Sequence, residues 1–224
     1  MTTAVILEEQ VEIPAIRSLS DFRRWALSDR FPERGRVDFI AGCIEVDMSP
    51  EDLFRHGTPK TELIRVLAGL VKAESLGELL SDRSRVTCPV ADLSAEPDIV
   101  FVSEQSLKQG RVRLIPKVGA ESDRYVEIEG GPDLTVEIVS DSTVRKDTVR
   151  LPQAYWRAGV REFWLVDARR DRLLFRIHRR GKSGWLIAKP DAGGFQASKV
   201  FGRRFRLTRR RRPQGMWVYD LDVA

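Results

Sequence analysis

The stretch from Gly131 to Asp167 constrains the fold of this chain more than any other part of it. Apolar residues dominate 133–139 and 162–166, and each run has the length and the bordering residues of a buried strand. Between them, the pattern predicts a helix over about 147–158, with Gly159 as its stop signal. Two strands joined by a crossover helix imply parallel pairing, so we expect a β-α-β unit.

Two further helices are predicted before this unit. The first begins near Ser20 and places Phe22 and Trp25 on one face. The second begins at Thr58, which precedes a proline, and has the apolar spacing of an amphipathic helix. The apolar positions of this second helix are Leu63, Val66, Leu67, Leu70 and Val71.

A β-hairpin is predicted between these two helices. Strand-like runs at 37–40 and 43–48 flank Ala41–Gly42, a two-residue connection that is typical of tight hairpins. Glu45 and Asp47 share one face of the second run because side chains alternate along a strand. The simplest interpretation of that face is an acidic surface in contact with solvent.

The remaining pattern predicts strands on both sides of the β-α-β unit. The whole is a mixed β-sheet core flanked by helices, of the α/β or α+β class, with an N-terminal hairpin and additional C-terminal antiparallel strands. With 224 residues and 42% hydrophobic content, we expect one domain over 1–224. Within it, 1–34 forms a covering segment and 200–224 a basic C-terminal segment. The further strands are predicted at 98–102, 112–116, 125–128, 172–178, 185–188 and 201–207.

The charge balance permits a polyanionic partner without demonstrating one. Lys and Arg outnumber Asp and Glu by 38 to 33, a formal net charge of +5. Much of the excess lies in 203–206 and 209–212, where a solvated cationic face and phosphate contact are equally good interpretations.

Cysteine content and hydropathy exclude several classes. Cys43 and Cys88 have no second Cys or His at metal-ligand spacing, so neither zinc nor a disulfide framework is expected. The N-terminus lacks a basic leader, and no window approaches the roughly twenty apolar residues that span a bilayer. A cytoplasmic protein is the expectation.

Two carboxylates stand in apolar surroundings. Alternation places Glu137 in the middle of a strand, on the face opposite Leu134, Val136 and Ile138. Burying a carboxylate is costly, so Glu137 needs a partner. Asp98 begins another apolar run about forty residues earlier, and two carboxylates on neighbouring strands would form a site for a hard cation.

These carboxylates also have structural interpretations. Glu137 on an edge strand would face water, or it would pair with an arginine of the following helix. Asp98 follows a proline, so it is equally suited to a turn or to the cap of a strand end.

Four segments, taken together, resemble the bacterial putative restriction endonuclease family of the PD-(D/E)XK nuclease superfamily. Three of them are Glu96–Asp98, Pro132–Ser140 and Tyr155–Asp167, and the fourth is the hairpin that ends at Pro50. The resemblance covers most of 35–180. It implies a restriction-endonuclease-like fold and a metal-dependent DNA endonuclease, and by analogy a homodimer that cuts both strands.

The resemblance also implies a set of site residues. Asp98 and Glu137 would bind Mg²⁺ or Mn²⁺, with the backbone carbonyl of Ile138 as a further ligand. Glu62 on the preceding helix would complete the acidic site, and His56 or Lys60 would border it.

The chain departs from the family pattern at the basic residue. That residue would fall at Val139, or at Leu151 in the relatives that supply a lysine from the next helix. Lys146 and Arg150 are the nearby candidates for the phosphate-side cation. Two alternatives follow: a catalytically degenerate relative that binds nucleic acid without cleaving it, and an interaction protein whose carboxylates pair with arginines.

Overall fold

The computed structural model describes residues 13–32, 35–119 and 123–224. Within these ranges no helix is both long and apolar enough to cross a membrane. Helices and single helical turns are Leu19–Ala26 (α1), Leu53–Gly57, Thr58–Ala73 (α2), Pro89–Ala91, Glu104–Lys108 (α3), Lys146–Arg150 and Leu151–Ala158 (α4). Strands are Arg36–Ile40 (β1), Cys43–Asp47 (β2), Gly77–Ser81 (β3), Arg85–Cys88 (β4), Leu93–Ala95 (β5), Ile99–Ser103 (β6), Val112–Pro116 (β7), Tyr125–Gly130 (β8), Leu134–Ile138 (β9), Glu162–Asp167 (β10), Leu174–Arg180 (β11), Trp185–Ile187 (β12), Gln196–Ser198 (β13), Arg203–Arg211 (β14) and Trp217–Val223 (β15).

The strands form three sheets. The central sheet has the order β12-β11-β10-β9-β6-β3, the second has the order β2-β1-β5-β4-β8-β7, and the third is β13-β14-β15. Strand β9 pairs in parallel with β10 and antiparallel with β6, and α4 connects β9 to β10. The predicted β-α-β unit and the mixed α/β fold are therefore confirmed.

Both faces of β9 are buried, which excludes the alternative of an edge strand with Glu137 in water. Leu134, Val136 and Ile138 pack against α2 and the third sheet. The opposite face packs against α4 and the second sheet, where Val139 contacts an apolar cluster that includes Leu151. Glu137 points to this second side, so the fold encloses it between the central sheet and α4.

The hairpin of β1 and β2 has the predicted turn. Ala41 and Gly42 have φ values of 49° and 78°, the left-handed conformation that a two-residue hairpin requires at both positions. The prediction of an acidic solvent face on β2 is wrong. Val46 is 48% exposed, whereas Glu45 and Asp47 are half-buried, because Arg150 and the loop after β9 cover their face.

Helix α2 begins after an additional helical turn. The side chain of Asp52 accepts hydrogen bonds from the backbone N–H groups of Phe54 and Arg55, at 2.9 and 2.8 Å. Asp52 therefore caps the helical segment one turn earlier than the sequence pattern predicts. This additional turn places His56 in the protein interior.

A wide helical turn over Lys146–Arg150 leads into α4. Pro152 follows this wide turn directly, so its missing N–H group falls where the wide turn changes to the regular helix of α4. Lys146 and Asp147 consequently point inward and are both buried.

Three arginines in the first half of β14 are ion-paired. Arg203 pairs with Glu74, and Arg206 pairs with Asp222 on β15 at 2.9 Å. Arg204 pairs with Asp191 at 2.8 Å. This pairing favours a neutralised surface over phosphate contact as the role of these arginines.

A tight contact joins the start of β9 to the end of α4. Gly131 is buried, and a Cβ atom there would lie 2.3 Å from the carbonyl oxygen of Ala158. We expect Gly131→Ala to lower the free energy of unfolding by about 1–3 kcal/mol, because backbone atoms would have to move. Urea unfolding at one pH measures the change.

Gly69→Ala is the matched control for that substitution. Gly69 is an exposed residue within α2, and a Cβ atom there meets no atom within 4 Å. Alanine should raise the free energy of unfolding by about 0.5–1 kcal/mol, since it restricts the unfolded chain. Equal effects of the two substitutions would contradict the tight contact at Gly131.

Candidate metal centre

The fold brings Asp98 and Glu137 together at one end of the central sheet. Ile99 lies opposite Val136 in the antiparallel register of β6 and β9, so the next residues along, Asp98 and Glu137, also lie opposite each other. Each residue is only 1% exposed. The two carboxylates therefore form a buried pair of like charges.

Asp98 is held by three donors. The guanidinium of Arg36 lies 2.9 Å from Oδ1, while the backbone N–H of Ile138 donates to Oδ2 at 2.8 Å. Nε2 of His56 lies 3.5 Å from Oδ2. Burial acts to raise the pKa of Asp98, but the hydrogen bond with His56 and the charge of Arg36 hold it well below its ordinary value.

Glu137 has the opposite electrostatic environment. The hydroxyl of Tyr155 on α4 donates to Oε1 at 2.5 Å, and Oε2 is buried with no hydrogen-bond partner in the described residues. Burial, followed by the negative charge of Asp98, raises the pKa of Glu137 well above its ordinary value. Of the two carboxylates, Glu137 is therefore the one that is protonated more readily.

Lys146 supplies a buried ammonium group next to this pair. Its Nζ lies 3.0 Å from Oδ2 of Asp38 on β1, and both side chains are buried. Burial acts to lower the pKa of Lys146, but Asp38 and then Glu137 raise it above its ordinary value, so the amine stays charged.

Asp147 adds a fourth buried carboxylate. The hydroxyl of Thr143 donates to Oδ2, and Oδ1 is buried without a hydrogen-bond partner in the described residues. Burial raises the pKa of Asp147 to about 7, and the charge of Lys146 opposes that rise only in part.

These groups fit a divalent cation. The buried cluster contains four carboxylates and three basic groups: Asp38, Asp98, Glu137 and Asp147, with Arg36, His56 and Lys146. Among the described residues, one carboxylate oxygen of Glu137 and one of Asp147 have no hydrogen-bond partner. Carboxylate oxygens are the ligands that Mg²⁺ and Mn²⁺ prefer, and a cation would compete with the proton on a carboxyl group whose pKa is raised.

A second potential ligand set shares Asp98. Ligand atoms of Glu51, His56 and Asp98 all lie within 4.8 Å of one another. Glu51 is near the surface and accepts hydrogen bonds from Lys60 at 2.8 and 2.9 Å. His56 therefore lies beside Asp98 and Lys60 beside Glu51, a residue that the sequence analysis did not identify.

A cleft leads from this cluster to solvent. Two adjoining cavities of about 290 and 410 Å³ share Asp47, Ser49, Ser142 and Thr143 in their walls. The first contains Arg36, Glu51 and His56, and the second contains Asp38 and Lys146. The cleft therefore runs between the hairpin and the loop after β9, with cluster residues along both parts.

Two of the sequence-predicted site residues lie outside this cluster. Glu62 accepts hydrogen bonds from Arg65 and from the backbone N–H of Leu221 at 3.0 Å, so the structure places it against the third sheet. Arg150 pairs with Glu45 on β2 at 2.5 Å, at the edge of the cleft. Ile138 contributes its N–H group to Asp98, and the predicted role of its carbonyl stays a prediction.

Sequence reasoning also missed four members of the cluster as site residues. Arg36 and Asp38 come from the hairpin, and Asp147 and Tyr155 come from the segment after β9. One sequence feature could have identified Asp38, because Asp38 lies opposite Glu45 in the hairpin and the two side chains share one face of it. Several carboxylates on one face of a hairpin are as consistent with the wall of a cleft as with a solvent-exposed surface.

The fold and the site define a restriction-endonuclease-like protein: a mixed sheet between helical layers, with paired carboxylates at the ends of two adjacent strands. The chain belongs to the Uma2 family, described as putative restriction endonuclease, which its sequence matches over residues 19–210. The family resemblance predicted from the sequence is confirmed.

A solved structure agrees with this assignment. It is the crystal structure of a putative nuclease belonging to DUF820 from Anabaena variabilis ATCC 29413, with a TM-score of 0.59 and 20% sequence identity. The match covers 83% of this chain and 90% of that chain, and at this identity it establishes the fold. A search of curated proteins found no significant sequence match.

The raised pKa of Asp147 predicts a pH-dependent stability. A carboxyl group whose pKa is higher in the folded state stabilises the fold at low pH, and this contribution is lost as pH rises toward about 7. Relative to the wild type, Asp147→Asn should therefore gain free energy of unfolding between pH 4 and 8, by on the order of 2 kcal/mol. Urea unfolding in EDTA across this pH range measures the difference.

Asp171→Asn controls for the loss of one negative charge, because Asp171 is exposed in the turn between β10 and β11. A pH-independent difference between Asp147→Asn and the wild type would contradict the environment described for Asp147.

Proposed function

We propose that this protein is a divalent-metal-dependent DNA endonuclease that hydrolyses phosphodiester bonds, with Mg²⁺ or Mn²⁺ held by Asp98 and Glu137. The observation that carries the proposal is the buried pair of carboxylates at the start of β6 and the end of β9, in which one oxygen of Glu137 has no hydrogen-bond partner among the described residues. When bound, the cation would activate water and offset negative charge on the scissile phosphate. Family membership supports DNA as the substrate.

The surrounding residues orient the two proposed ligands. Tyr155 binds one oxygen of Glu137 and leaves the other available, while the N–H of Ile138 fixes the carboxylate of Asp98. Such partners hold a ligand in one rotamer and tune its basicity. His56 and Glu51 extend the donor set toward the cleft, so they are suited to a ligand or a proton-transfer role at its mouth.

Lys146 is the proposed substitute for the missing lysine. Leu151, where relatives have a lysine, is buried in the apolar cluster under α4 and offers no charge. Lys146 lies about one turn earlier, and its ammonium group is charged, buried and close to Glu137. A cation in this position would stabilise negative charge on a phosphate entering from the cleft.

A nucleic-acid-binding relative without activity is the second candidate function. The specific observation that favours it is the apolar environment of Leu151. In that case the ion pair of Lys146 with Asp38 would be structural only. The homodimer implied by the family resemblance would serve either function and stays a prediction.

Plasmid nicking tests the nuclease proposal. We expect the wild type to nick supercoiled plasmid with Mg²⁺ or Mn²⁺, and we expect Asp98→Asn and Glu137→Gln to reduce nicking to the level seen with EDTA, because each removes a proposed ligand. Glu62→Gln is the matched control, since Glu62 is hydrogen-bonded to the third sheet. Equal nicking by wild type and Glu137→Gln would overturn the assignment.

A second pair of variants separates the two candidate cations. Lys146→Met should lower the nicking rate by about 100-fold, since it removes the buried ammonium group. Arg150→Met should have a much smaller effect because Arg150 pairs with Glu45 at the edge of the cleft. The reverse order of effects would assign the phosphate-side cation to Arg150. Circular dichroism checks that each variant is folded.

A further inference from the structure

A separate cavity of about 800 Å³ lies at the end of the central sheet opposite to the carboxylate cluster and its cleft. Asp133 in its wall directly precedes β9, whereas Glu137 lies near the end of that strand, so ~13 Å of strand separate them. Leu76 and Phe101 form an apolar wall of the cavity on the face of the central sheet that α2 covers, whereas Glu137 points to the opposite face. The cavity is therefore separate from the candidate metal centre.

The lining of this cavity has an excess of positive charge. Five cationic side chains and three carboxylates contribute to it, an excess of two positive charges. The carboxylates are Glu104, Asp133 and Glu162, and the cations are Lys108, Arg161, Arg179, Arg180 and Lys199.

The buried carboxylates of the lining are already satisfied within the protein. Asp133 accepts hydrogen bonds from Ser106 at 2.9 Å and pairs with Arg161 at 3.0 Å. Glu162 accepts from Ser198 at 2.7 Å and from the indole N–H of Trp164 at 3.2 Å. Asp133 is therefore paired with a cation, whereas Glu162 is bound by neutral donors and lies opposite Arg179 in the register of β10 and β11. Both carboxylates are already included in the lining's excess of two positive charges.

Three cations of the lining, Arg179, Arg180 and Lys199, form no ion pair within the described residues, but Arg180 donates a hydrogen bond to the carbonyl oxygen of Trp156. The side chains of Arg179 and Lys199 have no hydrogen-bond partner there, and Nε of Arg179 is buried. Nearby, burial and the charge of Arg161 lower the pKa of Arg111, which indicates crowding of positive charge. A buried donor without an acceptor costs free energy, and an anion in the cavity would remove that cost.

We propose that this cavity binds a phosphate-bearing molecule of nucleotide size, with Arg179 and Lys199 as its phosphate ligands. The planar fork of a guanidinium group matches the geometry of phosphate, and the ammonium group adds a point charge. The volume lies in the range of cavities that hold small molecules. The apolar wall of Leu76 and Phe101 suits the organic part of the ligand.

Calorimetric titration with ADP in EDTA tests this site without metal or DNA. The wild type should bind ADP, and the double variant with Arg179→Met and Lys199→Met should bind it about tenfold more weakly or worse. The matched control carries Lys182→Met and Lys189→Met, which remove the same charge from exposed positions outside the cavity. Its affinity for ADP should equal that of the wild type.

Two results would overturn the proposal: no ADP binding by the wild type, or an equal loss of affinity in the double variant and its control. Arg179→Lys covers the case in which the double variant fails to fold. This variant keeps the charge but loses the planar fork, so it should bind ADP with intermediate affinity. Wild-type affinity in Arg179→Lys would contradict the role of the guanidinium group.

The same assay distinguishes two sources of the phosphate group, a DNA end and a free nucleotide. Tighter binding of a 5′-phosphorylated dinucleotide than of ADP would identify a DNA end, and the reverse order would identify a free nucleotide. Adenosine, which lacks phosphate, should give no heat of binding. Binding of adenosine as tight as that of ADP would contradict a phosphate site. Because plasmid and metal are absent, this result is independent of nuclease activity.

Discussion

The buried pair of Asp98 and Glu137 is the constraint to which the rest of the site responds. Two carboxylates at the same end of adjacent strands repel each other, and burial strengthens that repulsion. The protein reduces this repulsion by shifting the pKa values of the two carboxylates in opposite directions. Arg36, His56 and a backbone N–H keep Asp98 ionised, while Glu137 has a hydroxyl donor and a raised pKa. Glu137 therefore favours its protonated form, and one of its oxygens has no partner among the described residues. A divalent cation at this position would displace the proton and bind that oxygen.

This arrangement requires segments that are far apart in sequence. The hairpin contributes Arg36 and Asp38, the turn before α2 contributes His56, and the turn before α4 contributes Lys146. The apolar clusters on the two faces of the central sheet hold these segments in place, because each packs α2 or α4 against β9. Packing and charge thus act together: the apolar layers bury the carboxylates, and the long-range ion pairs compensate for that burial.

The sequence predicts the parts of this structure that depend on local pattern. The order of β9, α4 and β10, the stop of α4 at Gly159 and the hairpin turn at Ala41–Gly42 all follow from periodicity and turn residues. Asp98 and Glu137 are predictable as a pair because a carboxylate is rare in an apolar strand. The family resemblance adds the fold and the expectation of a basic residue.

The remaining members of the site depend on tertiary contacts that no local pattern encodes. Glu45 and Asp47 alternate like a solvent face, and only Arg150 and the loop after β9 turn that face into the wall of a cleft. The family resemblance implies Glu62 as a site residue, but the third sheet packs against α2 and supplies its hydrogen-bond partner. Lys146 and Arg150 are both candidates from the sequence, and only the tertiary structure distinguishes them: Lys146 is buried beside Glu137, whereas Arg150 pairs with Glu45.

Calorimetric titration of Mn²⁺ into the wild type and Asp98→Asn, in two buffers of different ionisation enthalpy at neutral pH, tests the central claim most directly. If the cluster is built to receive a divalent cation, the wild type binds Mn²⁺ and releases protons, because Glu137 and Asp147 give up theirs. The measured heat then depends on the buffer, and Asp98→Asn loses binding. Absence of Mn²⁺ binding by the wild type, or equal binding by the variant, would contradict the account.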